Sequence, residues 1–151
     1  MVKVMNLDLV VKKFDELSLD ELYEILQLRS KVFVVEQECI YQDVDGRDRN
    51  AYHVFLRDAK GVQAYLRVME QGVAVENVSI GRVIAAKRRC GLGTQILREG
   101  ILVARERLGA KKIVLEAQVY ARGLYEKQGF KQTTEEFLED GIPHIGMELV
   151  F

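Results

Sequence analysis

The stretch Ile84-Ala85-Ala86-Lys87-Arg88-Arg89-Cys90-Gly91-Leu92-Gly93-Thr94 decides how the rest of the chain is read. An apolar strand-like run enters a basic, glycine-containing turn, and the turn opens directly into a helical pattern. Gly91 and Gly93 permit backbone angles and close approaches that a β-carbon blocks. Successive N–H groups of such a turn can point inward, and the partial positive charge of the helix N-terminus adds to them. Arg88 and Arg89 bring further charge to the same spot, so the segment reads as an anion cradle of pyrophosphate size. Gly-x-Gly alone describes many ordinary strand-to-helix turns. The longer spacing Arg88-x-x-Gly91-x-Gly93 at this junction is more specific. No Lys follows the glycines and no Gly-x-Gly-x-x-Gly occurs, so neither a P-loop nor a dinucleotide-binding turn is satisfied.

Working outward, residues 78–85 read as the strand feeding the turn. Residues 95–108 read as the helix leaving it, with Ile96, Leu97, Ile101, Ala104 and Leu108 on its apolar face. Residues 112–117 form the next strand, so the strand–helix–strand passage implies a crossover between parallel neighbours. Upstream, residues 7–14 alternate as a first strand. Ser18 and Glu21 have capping-box spacing at the start of a helix that carries Leu22, Ile25, Leu26 and Phe33 and loosens near Val34 and Val35. A polar loop spans 42–50. Strands at 52–57 and 63–69 are joined through a turn at 58–61. Downstream come a short helix at 122–128, ended by Gly129, and a final strand at 144–150. The fold class is α/β with a mixed sheet in one domain spanning residues 1–151.

Composition excludes several classes. The chain has 151 residues, 48% of them hydrophobic, enough for one sizeable core. Its 22 basic and 23 acidic residues nearly cancel, which leaves no electrostatic footprint for nucleic acid or an anionic membrane. The two cysteines, Cys39 and Cys90, match neither a disulfide framework nor a metal-ligand spacing. No metal site is expected. No apolar stretch approaches the ~20 residues of a bilayer span, and a cytoplasmic location is expected.

The Arg-x-x-Gly-x-Gly turn resembles the hallmark of the GNAT superfamily of N-acetyltransferases. Ala121, Tyr125, Gly129 and Phe130 resemble that family's Ala-x-x-x-Tyr-x-x-x-Gly-Phe element. The resemblance extends to an ElaA-type subgroup through Leu28-Arg29, the run 32–37, Asp45, Asp48, His53, the run 80–83 and the run 139–145, which together span nearly the whole chain. It implies a GNAT-like fold: a mixed, mostly antiparallel sheet flanked by helices, with a central parallel pair around the cofactor. It also implies direct transfer of an acetyl group from acetyl-CoA to a primary amine, without an acyl-enzyme. By the same resemblance Val83, Ile84 and Ala85 hold the pantetheine arm, and Arg88, Arg89, Cys90, Gly91, Leu92, Gly93 and Thr94 hold the pyrophosphate. Tyr125 matches the acid that protonates the departing thiolate.

The base stays unassigned, because the strand before the turn offers Ser79 and Arg82 rather than a carboxylate. Glu116 is one candidate, Glu36 and His144 are others, directly or through a water, and loss of the amine's proton to solvent without a base is a further route. Glu36, Asp45 and His144 also fall on segments that the resemblance places at the acceptor side. Glu38, Asp43, Glu139 and Asp140 add to the acidic character there, which suggests a negative potential for an incoming ammonium. His53 on a strand and Cys90 in the turn need no chemical role. The acceptor can be a small-molecule amine or a peptide lysine, and a homodimer is left open. Two competing readings stand beside this one: a non-catalytic acetyl-CoA-binding module, and an enzyme like the acyl-homoserine-lactone synthases, which the run from Arg29 to Phe33 with Asp45 and Asp48 also resembles.

Overall fold

The computed structural model describes residues 6–87 and 91–151. Its sheet runs in the order β1-β2-β3-β4-β5-β8-β6, with β7 paired to β8. The strands are β1 (Asp8–Lys13), β2 (Ala51–Asp58), β3 (Gly61–Met69), β4 (Val78–Ala85), β5 (Lys112–Gln118), β6 (Lys131–Gln132), β7 (Phe137–Glu139) and β8 (Ile142–Val150). Among the described residues only β4 and β5 are parallel, and every other pairing is antiparallel. The α/β class and the mixed sheet expected from the sequence are therefore present. No helix among the described residues is long and apolar enough to cross a membrane.

β2 and β3 are apolar almost throughout because both faces of the sheet are covered. Their alternate residues divide between two cores. Val54, Leu56, Ala64, Leu66 and Val68 join the core under α2 (Leu92–Arg107) and α3 (Arg122–Lys127). Phe55 and Tyr65 join Ile25, Phe33, Val62 and Ile84 on the opposite face, under α1 (Leu19–Arg29). The capping box of α1 forms as the sequence indicates: Glu21 N donates to Ser18 Oγ at 3.0 Å, and Ser18 N donates to Glu21 Oε1 at 2.8 Å. Past Arg29 the helix does not simply loosen. It continues as a π-helical stretch, Ser30–Glu36, of the wide-turn kind often found at functional sites.

The main departures from the sequence reading are the starts of α2 and of the last strand and two short strands, β6 and β7. α2 starts at Leu92 rather than 95, because Gly91 adopts a left-handed conformation (φ 79°) and the buried Leu92 already belongs to the core. The last strand starts at Ile142, two residues early. β7 precedes it through a tight turn in which Asp140 (φ 50°) and Gly141 (φ 76°) are both left-handed. Asp-Gly is the sequence signature of such a hairpin, and it went unused. The two-residue β6 is too short to produce a periodic signal.

α2 lies close against β3 at Gly100, where a β-carbon would come within 2.7 Å of the fully buried Leu66 side chain. A larger residue must displace Leu66 inside a filled core. Gly100→Val is expected to lower stability by about 1–3 kcal/mol through overpacking, read as a reduced urea midpoint with an unchanged slope. A wild-type midpoint would show that the α2–β3 contact is looser than described.

Candidate active site

β4 and β5 pair at only two positions, Val78 with Ile113 and Ser79 with Val114, and then part. The cause lies on the other edge of β4. Arg67 pairs with Gly81 and Tyr65 with Ile84, so Arg82 and Val83 together oppose the single residue Leu66. Arg82 takes a left-handed conformation (φ 54°) at this bulge. For a residue with a β-carbon such a conformation costs on the order of 1–3 kcal/mol, and a bulge bends its strand. Beyond Ser79, the β5-facing edge of β4 has no strand partner.

The opening is a cleft of about 680 Å³. Its walls include Ser79–Val83 of β4, Val114–Glu116 and Gln118 of β5, residues of the 37–47 loop, and Glu139, Ile142 and His144 near the β7–β8 hairpin. At the far end of the opening Gln118 Nε2 donates to Gln37 Oε1 at 3.1 Å, tying β5 to the loop.

Six charged side chains hold the loop and the bulge together. Arg29, 1% exposed, donates from Nε to Asp43 Oδ2 at 2.9 Å and from Nη1 to Asp48 Oδ1 at 2.7 Å. Arg67, equally buried, grips Asp45 with both terminal nitrogens at 2.8 and 2.7 Å, and reaches Asp48 at 2.9 Å. Arg82 Nε lies 2.8 Å from Asp43 Oδ1, an ion pair whose angle falls outside hydrogen-bond geometry, and Nη2 lies 3.5 Å from Asp45. Its guanidinium also sits 5.0 Å from the Tyr41 ring centre. Burial alone would raise the Asp45 and Asp48 pKa values. Hydrogen bonds from Arg67 and the Arg47 backbone at Asp45, and from Arg29 at Asp48, override it and hold both below the usual carboxylate range.

His53 is fully buried next to this charged set. Nε2 faces the Asp48 carbonyl at 2.9 Å, so it carries the hydrogen, and Nδ1 accepts from the Tyr65 hydroxyl at 2.7 Å. Burial depresses its pKa. It is a satisfied structural histidine, as the sequence reading held.

Of the residues singled out in the sequence, Tyr125, Glu116, Asp45, His144 and Val83 all line the cleft. Tyr125 is 7% exposed, and burial together with the neighbouring Tyr120 raises its pKa. Its ring meets Phe130 edge-on at 5.8 Å, and its hydroxyl takes no hydrogen bond among the described residues. Glu116 is pushed above its ordinary pKa by desolvation and by the neighbouring Glu139. His144 Nδ1 donates to the Ile142 carbonyl at 2.7 Å, which leaves Nε2 facing Glu139 at 3.7 Å.

Ile84 points away into the α1-side core, and Ala85 packs against the other core. Gly91, Gly93 and Thr94 lie at the first turn of α2, whose first intrahelical bond runs from Gln95 N to Gly91 O at 3.1 Å. Among the described residues no side chain caps this end. The N–H groups of Leu92, Gly93 and Thr94 therefore precede the helical ladder, as an anion receptor requires. Gly93 is set beside Leu124 of α3, where a β-carbon would make only ordinary contact at 3.5 Å, so helix packing does not by itself require a glycine there. Arg88, Arg89 and Cys90 lie outside the described residues. Glu36 and Glu38 are exposed and stand outside the cleft lining. Among the described residues no group of three or more His, Cys, Asp or Glu side chains is placed to hold a metal.

The sequence reading missed Arg29, Arg67 and Arg82 as site builders. The available signal was charge in the wrong place: Arg67 and Arg82 interrupt apolar strands, and a charge on a buried strand needs partners.

A parallel pair that parts after two residues thus leaves a cleft within the sheet, and comparison with known proteins shows the family to which such a fold belongs. The model of the acetyltransferase (GNAT) domain matches residues 16–151. Protein ElaA of Escherichia coli is 40% identical over 136 residues, covering 87% of this chain and 89% of ElaA. The ElaA crystal structure superposes with a TM-score of 0.88, covering 94% of this chain and 98% of that one. An acyl-CoA N-acyltransferase from Pseudomonas aeruginosa is 40% identical with a TM-score of 0.86, covering 93% and 98% of the two chains. The acyl-homoserine-lactone synthase LasI shares the fold (TM-score 0.74, 95% and 89% covered) at only 14% identity, a likeness of fold alone. The chain belongs to the GNAT acetyltransferase family, in the company of ElaA.

Arg29→Met would leave Asp43 and Asp48 short of their buried partner, and a loss of about 3–5 kcal/mol is expected. The lowered Asp45 and Asp48 pKa values add a pH signature. Their stabilisation is complete above the unfolded carboxylate pKa near ~4 and is lost as the pH falls below it. Chemical denaturation at neutral pH and at pH 3 checks both; a wild-type midpoint for Arg29→Met would overturn the buried lattice.

Proposed function

We propose that the chain transfers an acetyl group from acetyl-CoA directly to a primary amine. The observation that carries this reading is the β4–β5 opening, which brings the hydroxyl of the largely buried Tyr125, without a hydrogen-bond partner among the described residues, and a carboxyl of raised pKa to one cleft. Val83, Ile84 and Ala85 would offer the unpaired edge of β4 to the pantetheine arm as if to an added strand. The uncapped N–H groups of Leu92, Gly93 and Thr94, with Gly91 turning the chain, would face the pyrophosphate; Arg88, Arg89 and the Cys90 backbone belong to the same loop in sequence.

In the reaction the amine lone pair attacks the thioester carbonyl, the tetrahedral adduct collapses, and the carbon–sulfur bond breaks. The thiolate then needs a proton, and the incoming ammonium must first lose one. Tyr125 would supply the first, since burial keeps its hydroxyl protonated at neutral pH. Glu116 would take the second, because its upward shift moves it toward the pH at which a base works best. Glu139 and His144 stand next in line to pass that proton to solvent. The sequence reading left the base open among Glu116, Glu36 and His144. Glu36 stands outside the cleft, which favours Glu116 with His144 in support.

The retained tyrosine favours the enzyme over a module that only binds acetyl-CoA, and thiol release from acetyl-CoA with a panel of amines tests this. Tyr125→Phe should still bind acetyl-CoA while turnover falls by about 10²-fold or more, and Glu116→Gln should remove the acidic limb of the kcat/KM profile. Unchanged turnover in Tyr125→Phe would remove that residue from the chemistry. Binding without turnover toward any amine would favour the non-catalytic module.

A further inference from the structure

Resting on this reading of the cleft, we infer that the acceptor is a small zwitterion, a primary amine with a free carboxylate a few bonds away as in an amino acid, its ammonium set against Glu116 and Glu139 and its carboxylate against Arg47. The inference comes from pairing off the charges that line the cleft. Asp45 is gripped by Arg67 and flanked by Arg82, whose other partner is Asp43, and Arg29 with Asp48 completes three guanidiniums against three carboxylates. That set is closed, so Asp43 and Asp45 offer no net field to a ligand.

What remains in the lining is Glu116, Glu139 and Asp140 on one side and Arg47 on the other, with His144 beside Glu139. Arg47 anchors its own backbone, its N donating to Asp45 Oδ1 at 3.0 Å, yet its side chain takes no carboxylate partner among the described residues. It is near enough to act on the titration of Glu116 but forms no ion pair with it. Arg47 and Glu116 thus line one cleft within electrostatic reach of each other and without an ion pair between them. The Tyr125 hydroxyl, on a side chain more than nine-tenths buried, lines the same space without a partner. Opposite charges with no ion pair between them, beside a hydroxyl without a partner, suit a ligand with charges of both signs, since it pairs each end while a lone ammonium leaves Arg47 unanswered. A diamine would place a second cation near Arg47. The cleft's volume, shared with the acyl-CoA arm, keeps the acceptor small.

The test uses the standard amino acids with their carboxamides and decarboxylated amines as matched acceptors, scored by kcat/KM with acetyl-CoA. In wild type, at least one amino acid should exceed its carboxamide by about tenfold or more, the effect of one charge-assisted contact. Arg47→Gln should bring that ratio close to one and Arg47→Lys should restore part of it, both with an unchanged melting temperature. Carboxamides, simple amines or diamines preferred by wild type, or a ratio indifferent to Arg47→Gln, would overturn the inference while leaving acyl transfer standing. Calorimetry separates the two failures. Wild type that binds no acetyl-CoA refutes the acyltransferase reading itself. Binding of the amino acid over its carboxamide in wild type but not in Arg47→Gln supports the zwitterion even without turnover, and equal binding refutes it.

Discussion

Everything in this molecule that bears on chemistry follows from the early parting of β4 and β5. Two parallel strands that stayed paired would bury their edges in one another, and the sheet would have no interior opening. The bulge at Arg82 and Val83 bends β4 away after Ser79 and leaves its edge groups unpaired. The left-handed Arg82 backbone is unfavourable in isolation, and its side chain is held by Asp43 and by the Tyr41 ring. Strain at the strand and ion pairing in the loop are thus two ends of one device, which keeps the cleft open before any ligand arrives.

The same device explains why so much charge is buried. Buried ion pairs are poor sources of net stability, because desolvation consumes most of their attraction. Apolar residues could hold the loop at least as firmly. What the three arginines and three aspartates add is direction: planar guanidiniums fix the loop against β3 and β4 at defined distances, so the wall that faces β5 has one arrangement. They also neutralise acids that would otherwise dominate the cleft. The expectation of a broadly acidic acceptor side therefore narrows to Glu116, Glu139 and Asp140.

The fold was largely legible in the sequence because its strongest elements are periodic and long. α2 and the β2–β3 pair could be read from apolar spacing, and the start of α1 from Ser18 and Glu21. Boundaries failed where tertiary packing outweighed local pattern. Leu92 enters the helix early because it is a core residue, and the π-helical turn after Arg29 has no spacing that announces it. Several residues that the family resemblance pointed to, Tyr125 and Val83 among them, do line the cleft. The site was illegible in Arg29, Arg67 and Arg82, whose partners lie 14 to 39 residues away in sequence.

Hydrogen exchange with and without acetyl-CoA tests most directly whether the opening between β4 and β5 is the acyl-CoA site. Amides of residues 80–85 and 91–94 should exchange more slowly in its presence, because the first group gains strand-like partners and the second gains a bound anion. Protection confined to the apolar hollow around Phe14, Leu22 and Val44 on the other side of the 42–49 loop, with β4 and the start of α2 unchanged, would contradict it.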